Sequence, residues 1–153
     1  MTYREAVARI TGLRGGEMAG MRPGLERIEA LLDAIGRPER AFTIAQVGGT
    51  NGKGSISAML AAILQASGRR VGLYTSPHLR HYRERIRVDG QPISARELTA
   101  LLSQIRDCEN QQMLGEGPSI LEGLTFFEIA TAVGFLHFVQ RRVEAVVIAL
   151  IPQ

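Results

Sequence analysis

The sequence predicts a three-layer α/β fold built on a mainly parallel sheet. Three observations predict it. The apolar run Phe42-Thr43-Ile44-Ala45-Gln46-Val47 leads into a glycine-rich turn, after which Ile56, Met59, Leu60, Ile63 and Leu64 recur at helical spacing until Gly68. Arg70 to Thr75, carrying Val71, Leu73 and Tyr74, reads as a second strand, so strand, helix and strand form a βαβ unit with parallel strands. Ala145 to Ile151 is an uninterrupted apolar run, the pattern of a parallel strand buried on both faces.

The other elements follow in chain order. Residues 2–10 suit a short helix with Val7 and Ile10 inward, and Gly12 to Pro23 reads as a loop. Pro23 opens a helix whose stripe is Leu25, Ile28, Leu31, Leu32 and Ile35, ended by Gly36. Arg85 to Val88 is extended, and Asp89-Gly90 turns the chain toward Pro92-Ile93 as a small hairpin. Ser94-Ala95-Arg96-Glu97 is a capping box for a helix carrying Leu98, Leu101, Leu102 and Ile105. Residues 108–124 are polar and read as a loop. Thr125-Phe126-Phe127-Glu128 is a second capping box, for a helix with Ile129, Val133, Leu136 and Val139 inward.

Composition narrows the class. A chain of 153 residues with 45% apolar content has one domain as the default and enough core to bury. A net charge of +3 without a long basic run gives no footprint for nucleic acid. No stretch is apolar and long enough to span a bilayer. Cys108, the single cysteine, fits a reducing compartment. The plain reading is a soluble, cytoplasmic protein.

Chemistry concentrates at Gly49-Thr50-Asn51-Gly52-Lys53-Gly54-Ser55. Strand, glycine loop and helix form the context of a phosphate loop, and the sheet is then of the P-loop type. Glycines admit a polyphosphate close to the backbone, the helix N-terminus adds a positive dipole end, and Lys53 adds a formal charge for the β- and γ-phosphates. Ser55 or Thr50 supplies a hydroxyl near magnesium. The pattern departs from G-x-x-x-x-G-K-[ST]: its first glycine falls on Val47, and Gly54 follows the lysine. Ser76-Pro77-His78-Leu79 follows the second strand, at the end where open α/β sheets bind ligands.

The glycine loop resembles the ATP loop of the Mur ligase superfamily, and its Gly54-Ser55 ending resembles the folylpolyglutamate synthase and dihydrofolate synthase family. Three further stretches are similar to that family: Gly24-Leu25-Glu26-Arg27-Ile28, Thr75-Ser76-Pro77-His78-Leu79 with Glu84-Arg85-Ile86, and Thr125-Phe126-Phe127-Glu128. The resemblance runs from about residue 20 to residue 148. It implies an ATP-dependent, magnesium-requiring ligase that joins L-glutamate to dihydropteroate or to a folate through an acyl phosphate, and a monomer. It implies that Gly49, Thr50, Asn51, Gly52, Lys53, Gly54 and Ser55 contact ATP, with Lys53 catalytic. It implies magnesium at Ser76 and the pteroate at Thr125, Phe126, Phe127 and Glu128. Where the family has a metal-binding glutamate and a glycine-rich turn, Ala149-Leu150-Ile151-Pro152-Gln153 stands here. That departure leads us to expect residues 1–153 to be a partial N-terminal ATP-binding domain without the glutamate-binding domain, and inactive by itself. A Mur-type amino-acid ligase and a nucleotide-binding remnant are the competing readings.

Several residues carry two readings. Ser76 is a magnesium ligand or a turn starter before Pro77. Glu128 caps its helix, contacts ligand, or does both. Of Phe126 and Phe127, at least one belongs to the core, and the resemblance sets the other against a flat pterin or benzoyl ring. Arg80, Arg83, Arg85 and Arg87 form a solvated face or attract an anionic polyglutamyl tail. His78 reads as a surface loop residue, and His81 and His137 as structural. Glu122, Asp89 and Cys108 read as surface or loop.

Overall fold

Strand β5, Ala145–Ala149, is the apolar run anticipated near the C-terminus, and all five of its residues are buried. A strand so apolar on both faces is stable only with neighbours on either side. It has them: β1, Thr43–Gln46, and β2, Val71–Thr75, flank it, both parallel to it. In this computed structural model residues 1–12, 24–113 and 123–150 are described. Strands β3, Ile86–Val88, and β4, Gln91–Pro92, continue the sheet beyond β2 in antiparallel ladders. The order is β1-β5-β2-β3-β4.

The sheet is therefore mixed, not mainly parallel: two ladders are parallel and two antiparallel. The antiparallel half comes from the Asp89-Gly90 turn, whose residues both take positive φ, 47° and 80°. That is the backbone demanded by a tight hairpin of right-twisted strands. Asp89 does more than turn the chain. Its carboxylate accepts from the Val71 N–H at 2.9 Å, tying the hairpin to the start of β2.

The described residues fall into two compact units. One, Met1–Glu39 with Ala95–Leu136, is helical. Helix α1, Tyr3–Thr11, opens with a capping box between Thr2 and Glu5. Its buried residues are Ala6 and Ile10, so the inward face lies one position before the expected Val7. Helix α2 is Glu26–Ala34, with Leu31 and Leu32 buried. Leu25 precedes the first helical turn and is exposed, contrary to its expected place in the stripe. Gly36, at φ 89°, ends the helix as expected. Pro23 and most of the loop before it lie outside the described residues.

Helix α4, Ala95–Met113, buries Leu98, Leu101, Leu102 and Ile105 as the spacing predicts. It runs through residues 108–113, which composition assigns to a loop. Glu109, Gln111 and Gln112 are good helix formers, and the Glu109 carboxylate pairs with Arg9 of α1. Residues 114–122 of the expected loop, with Glu122, are outside the described residues. Helix α5, Phe126–Gln140, follows. It buries Ile129, Val133 and Leu136, while Val139, assigned inward, is exposed. No helix among the described residues is long and apolar enough to cross a membrane.

The second unit, Arg40–Ser94 with His137–Pro152, holds the sheet and helix α3, Lys53–Ala66. Helix α3 packs against β2 and β5. Its covered face is Ser57, Leu60, Ala61 and Leu64, at i, i+3, i+4 and i+7. Ile56, Met59 and Ile63, which the spacing puts in the inward stripe, are exposed instead. Small Ser57, fully buried with its hydroxyl donating to the Lys53 carbonyl at 2.6 Å, allows the close approach that selects the other face.

Close packing also explains Gly72 on β2. A Cβ there would stand 2.7 Å from Phe138 Cδ1, and the Phe138 ring is fully buried. Phe138 in turn meets Phe42 edge to face, with centroids 6.0 Å apart. The ring has no room to retreat. Gly72→Ala is expected to cost about 1–3 kcal/mol by overpacking, read as a lower urea midpoint with an unchanged slope.

Candidate functional site

The parallel strands give the sheet one C-terminal edge, and the two loops of interest leave from it. At the end of β1 the Val47 N–H still donates to the Ile148 carbonyl, at 2.8 Å, before the chain enters the glycine loop. At the end of β2 the Ser76 N–H donates to the Ala149 carbonyl at 3.2 Å. Strand β5 lies between the two. Hence the glycine loop and the Ser76 loop rise from the same edge, two strand spacings apart, or about 10 Å.

In the glycine loop, Gly49 has φ 134° and Gly52 has φ 76°, conformations that other residues rarely adopt. A Cβ added at Gly48, Gly49, Gly52 or Gly54 would meet nothing within 4 Å. Protein neighbours thus leave the space around the loop open. Gly52 is the N-cap of α3, and no side chain caps the helix. The first-turn amides of α3 receive no acceptor from a capping side chain, and its first turn carries no acidic residue. Such a terminus attracts anions. Thr50, Asn51, Gly54 and Ser55 are exposed and Lys53 is half-buried.

The loop after β2 is held from within. Glu84, in a 3-10 turn over Tyr82–Arg85, accepts hydrogen bonds from three backbone amides, those of Leu79 (2.9 Å), Arg80 (3.2 Å) and His81 (2.9 Å). These bonds hold its carboxyl below the usual carboxylate range. Arg85 is buried, 3% exposed, and its Nε donates to His78 Nδ1 at 2.9 Å. The guanidinium also lies 5.3 Å from the centroid of the Tyr82 ring. Desolvation lowers its pKa.

The arginine cluster is therefore neither a solvated face nor a free anionic trap as a whole. Arg85 is inside, Arg83 donates to the Ile93 carbonyl at 3.3 Å, and Arg87 donates to the Glu84 carbonyl at 3.1 Å. Arg80 is exposed. His78 is no bland loop residue, because a buried cation engages it. Sequence spacing gives no sign of this pairing; the only hint is an arginine beside a histidine-containing turn.

In the helical unit, Thr125 and Glu128 form the expected capping box. The Glu128 carboxylate accepts from the Thr125 N–H at 2.8 Å, and the Thr125 hydroxyl accepts from the Glu128 N–H at 3.3 Å. Glu128 also pairs with Arg27 of α2, at 3.2 Å. That partner is 101 residues away in sequence, and nothing local announces it. Phe126 is 5% exposed and belongs to the core, whereas Phe127 is 43% exposed.

Among the described residues, no group of three or more His, Cys, Asp or Glu side chains is placed to hold a metal ion. At the C-terminal edge the nearby carboxylate, Glu84, is committed to backbone amides, and β5 ends at Ala149. Ser76 stands at this edge with a neutral hydroxyl, an oxygen of the kind that fits an ion arriving with its own phosphate and water oxygens.

The Glu84 clamp makes a prediction with a definite sign. A carboxyl held below its ordinary 4.5 keeps its amide bonds above that value and loses them as pH falls through its lowered folded pKa. The amide resonances of Leu79, Arg80 and His81 should therefore move together below pH 4.5 in an NMR titration. In Glu84→Gln they should sit near their acid-form positions at neutral pH.

Comparison with known proteins places these features in a family. No family model matches the chain. It is 40% identical over 148 residues to the probable bifunctional folylpolyglutamate synthase/dihydropteroate synthase of Haloferax volcanii, covering 97% of this chain and 17% of that one. It is 40% identical over 124 residues to the dihydrofolate synthase/folylpolyglutamate synthase of Bacillus subtilis, covering 79% and 27%. Among solved structures, an FPGS–AMPPCP–folate complex superposes with a TM-score of 0.81 at 35% identity, covering 97% of this chain and 35% of that one. The chain thus spans well under half the length of the relatives it matches. Sequence identity of this extent together with a shared fold shows that the chain belongs to the folylpolyglutamate synthase/dihydrofolate synthase family.

Proposed function

We propose that the glycine loop binds the phosphates of ATP, and that the protein serves the glutamate-ligating chemistry of its family. The observation that carries this reading is the loop itself: two glycines with positive φ, open space at four glycine positions, and an α3 terminus without a side-chain cap. Each feature strains or exposes the backbone unless an anion repays it. Lys53, at the first position of α3, adds the formal charge. Gly49, Thr50, Asn51, Gly52, Lys53, Gly54 and Ser55 form the proposed nucleotide contact. A relative solved with AMPPCP and folate supports the choice of ligands.

The proposed reaction begins with a carboxylate of dihydropteroate, or of a folate's glutamate tail, attacking the γ-phosphorus. ADP leaves, and an acyl phosphate remains. The amine of L-glutamate then attacks the acyl carbon, a proton is lost from nitrogen, and inorganic phosphate departs. The protein positions the reactants and neutralises charge, as in other phosphoryl transfers. Lys53 and the loop amides hold the β- and γ-phosphates. We assign Ser76 to magnesium, which would offset the negative charge of the phosphates, with the nucleotide supplying most of the ion's ligands.

For the pteroate end, we assign Phe127 as the exposed ring that stacks on an aromatic substrate, with Thr125 and Phe126 fixing its helix start. Glu128 and Arg27 hold that start in place. To the 153-residue chain as it stands we assign nucleotide binding without ligation, since β5 ends at Ala149 and, among the described residues, no group of three or more His, Cys, Asp or Glu is placed to hold a metal ion.

Lys53→Ala should weaken AMPPCP binding by about 1.5–3 kcal/mol, the worth of one charge-assisted contact, or roughly ten- to hundredfold. Calorimetry with magnesium present measures it, and unchanged affinity rules out the phosphate-loop reading. The wild-type chain, supplied with ATP, magnesium, dihydropteroate or tetrahydrofolate and labelled glutamate, should yield no glutamylated product above a Lys53→Ala control.

A further inference from the structure

Arg85 is a buried arginine, and it directs its Nε–H at the Nδ1 of His78. The arrangement is built on three sides. The Tyr82 ring lies under the guanidinium and meets the His78 ring edge-on, with centroids 6.0 Å apart. Tyr82 and Arg85 are both 3% exposed, while His78 keeps part of its surface open. Three amides on Glu84 fix the turn that joins them.

The consequence concerns the tautomer. An imidazole nitrogen that accepts a hydrogen bond carries no proton, so the N–H of His78 is on Nε2. His78 stands two residues past Ser76, whose N–H is bonded to Ala149 at the C-terminal edge of the sheet. This loop and the glycine loop of β1 leave the same sheet edge on either side of β5, about 10 Å apart.

We propose that His78 is a neutral hydrogen-bond donor, through Nε2–H, to the terminal phosphate of a nucleoside triphosphate, and that Arg85 is the positioning residue that sets its tautomer. The inference rests on the nucleotide reading above and adds a residue to it. A hydrogen-bond donor in this place marks the phosphate to be transferred, beside the charge that Lys53 supplies. It also gives the site a means of telling a triphosphate from a diphosphate.

The test compares AMPPCP and ADP binding to the wild-type chain, Lys53→Ala, His78→Ala, His78→Gln and Arg85→Met. His78→Ala should lose about tenfold in AMPPCP affinity, the worth of one hydrogen bond to a charged group, with less than about twofold loss for ADP. His78→Gln, whose amide nitrogen reaches the place of Nε2, should recover most of the loss. Long-range 1H–15N spectra of the imidazole should show the single Nε2–H tautomer in the wild type and a mixture in Arg85→Met. The proposal is overturned if His78→Ala leaves AMPPCP binding intact while Lys53→Ala abolishes it; the glycine-loop reading then survives. Equal losses for both nucleotides in His78→Ala and His78→Gln would reduce His78 to loop scaffolding. Absence of saturable binding by the wild-type chain would overturn both readings.

Discussion

The site depends on the double pairing of β5. This strand is apolar on both faces, so it is stable only inside a sheet, and the neighbours it takes are β1 and β2. Its last two carbonyls then receive the amides of Val47 and Ser76, the residues that open the glycine loop and the loop after β2. One buried strand thereby sets the height and spacing of two loops that are 29 residues apart in sequence. Helix α3 depends on it as well, resting on β2 and β5 through its Ser57, Leu60, Ala61 and Leu64 face.

On that edge the two loops use opposite strategies. The glycine loop leaves the start of α3 without a side-chain cap, and two of its glycines hold positive φ values. The loop after β2 claims its donors internally, on Glu84, and places a buried guanidinium behind His78. An open cradle binds an anion by amides and a lysine, whereas a closed turn presents particular side chains at fixed positions. The phosphoryl transfer proposed above would draw on both, a holder for charge and a rigid frame for the acceptor. Glu128 repeats the logic of Glu84 in the helical unit, capping α5 and pairing with Arg27 so that the Thr125-Phe126-Phe127 start is fixed.

Much of this was legible. Short apolar runs marked β2 and β5 and period-3.6 patterns marked α2 and α4, because burial leaves a direct trace in residue order. Asp89-Gly90 announced its hairpin, since few other pairs tolerate two positive φ values. The capping box at Thr125 and the core place of Phe126 were likewise local matters. The errors have a common cause. Ile56, Met59 and Ile63 form as good a stripe as the true one, and only the approach of α3 through Ser57 decides between them. Residues 108–113 look polar enough for a loop, and the Arg9–Glu109 pair shows them on a helix.

The sequence by itself determined the α/β class, the glycine loop with its lysine, and the family, because these reside in short stretches whose spacing is fixed by local geometry. Tertiary structure alone decided that β5 inserts between β1 and β2, that the sheet is mixed, and that Arg85 of the arginine cluster turns inward. It alone joined Arg85 to His78 and Arg27 to Glu128. Strand order and partner choice are settled by the burial of surfaces far apart in the chain, and a linear pattern holds no record of which distant surface will meet which.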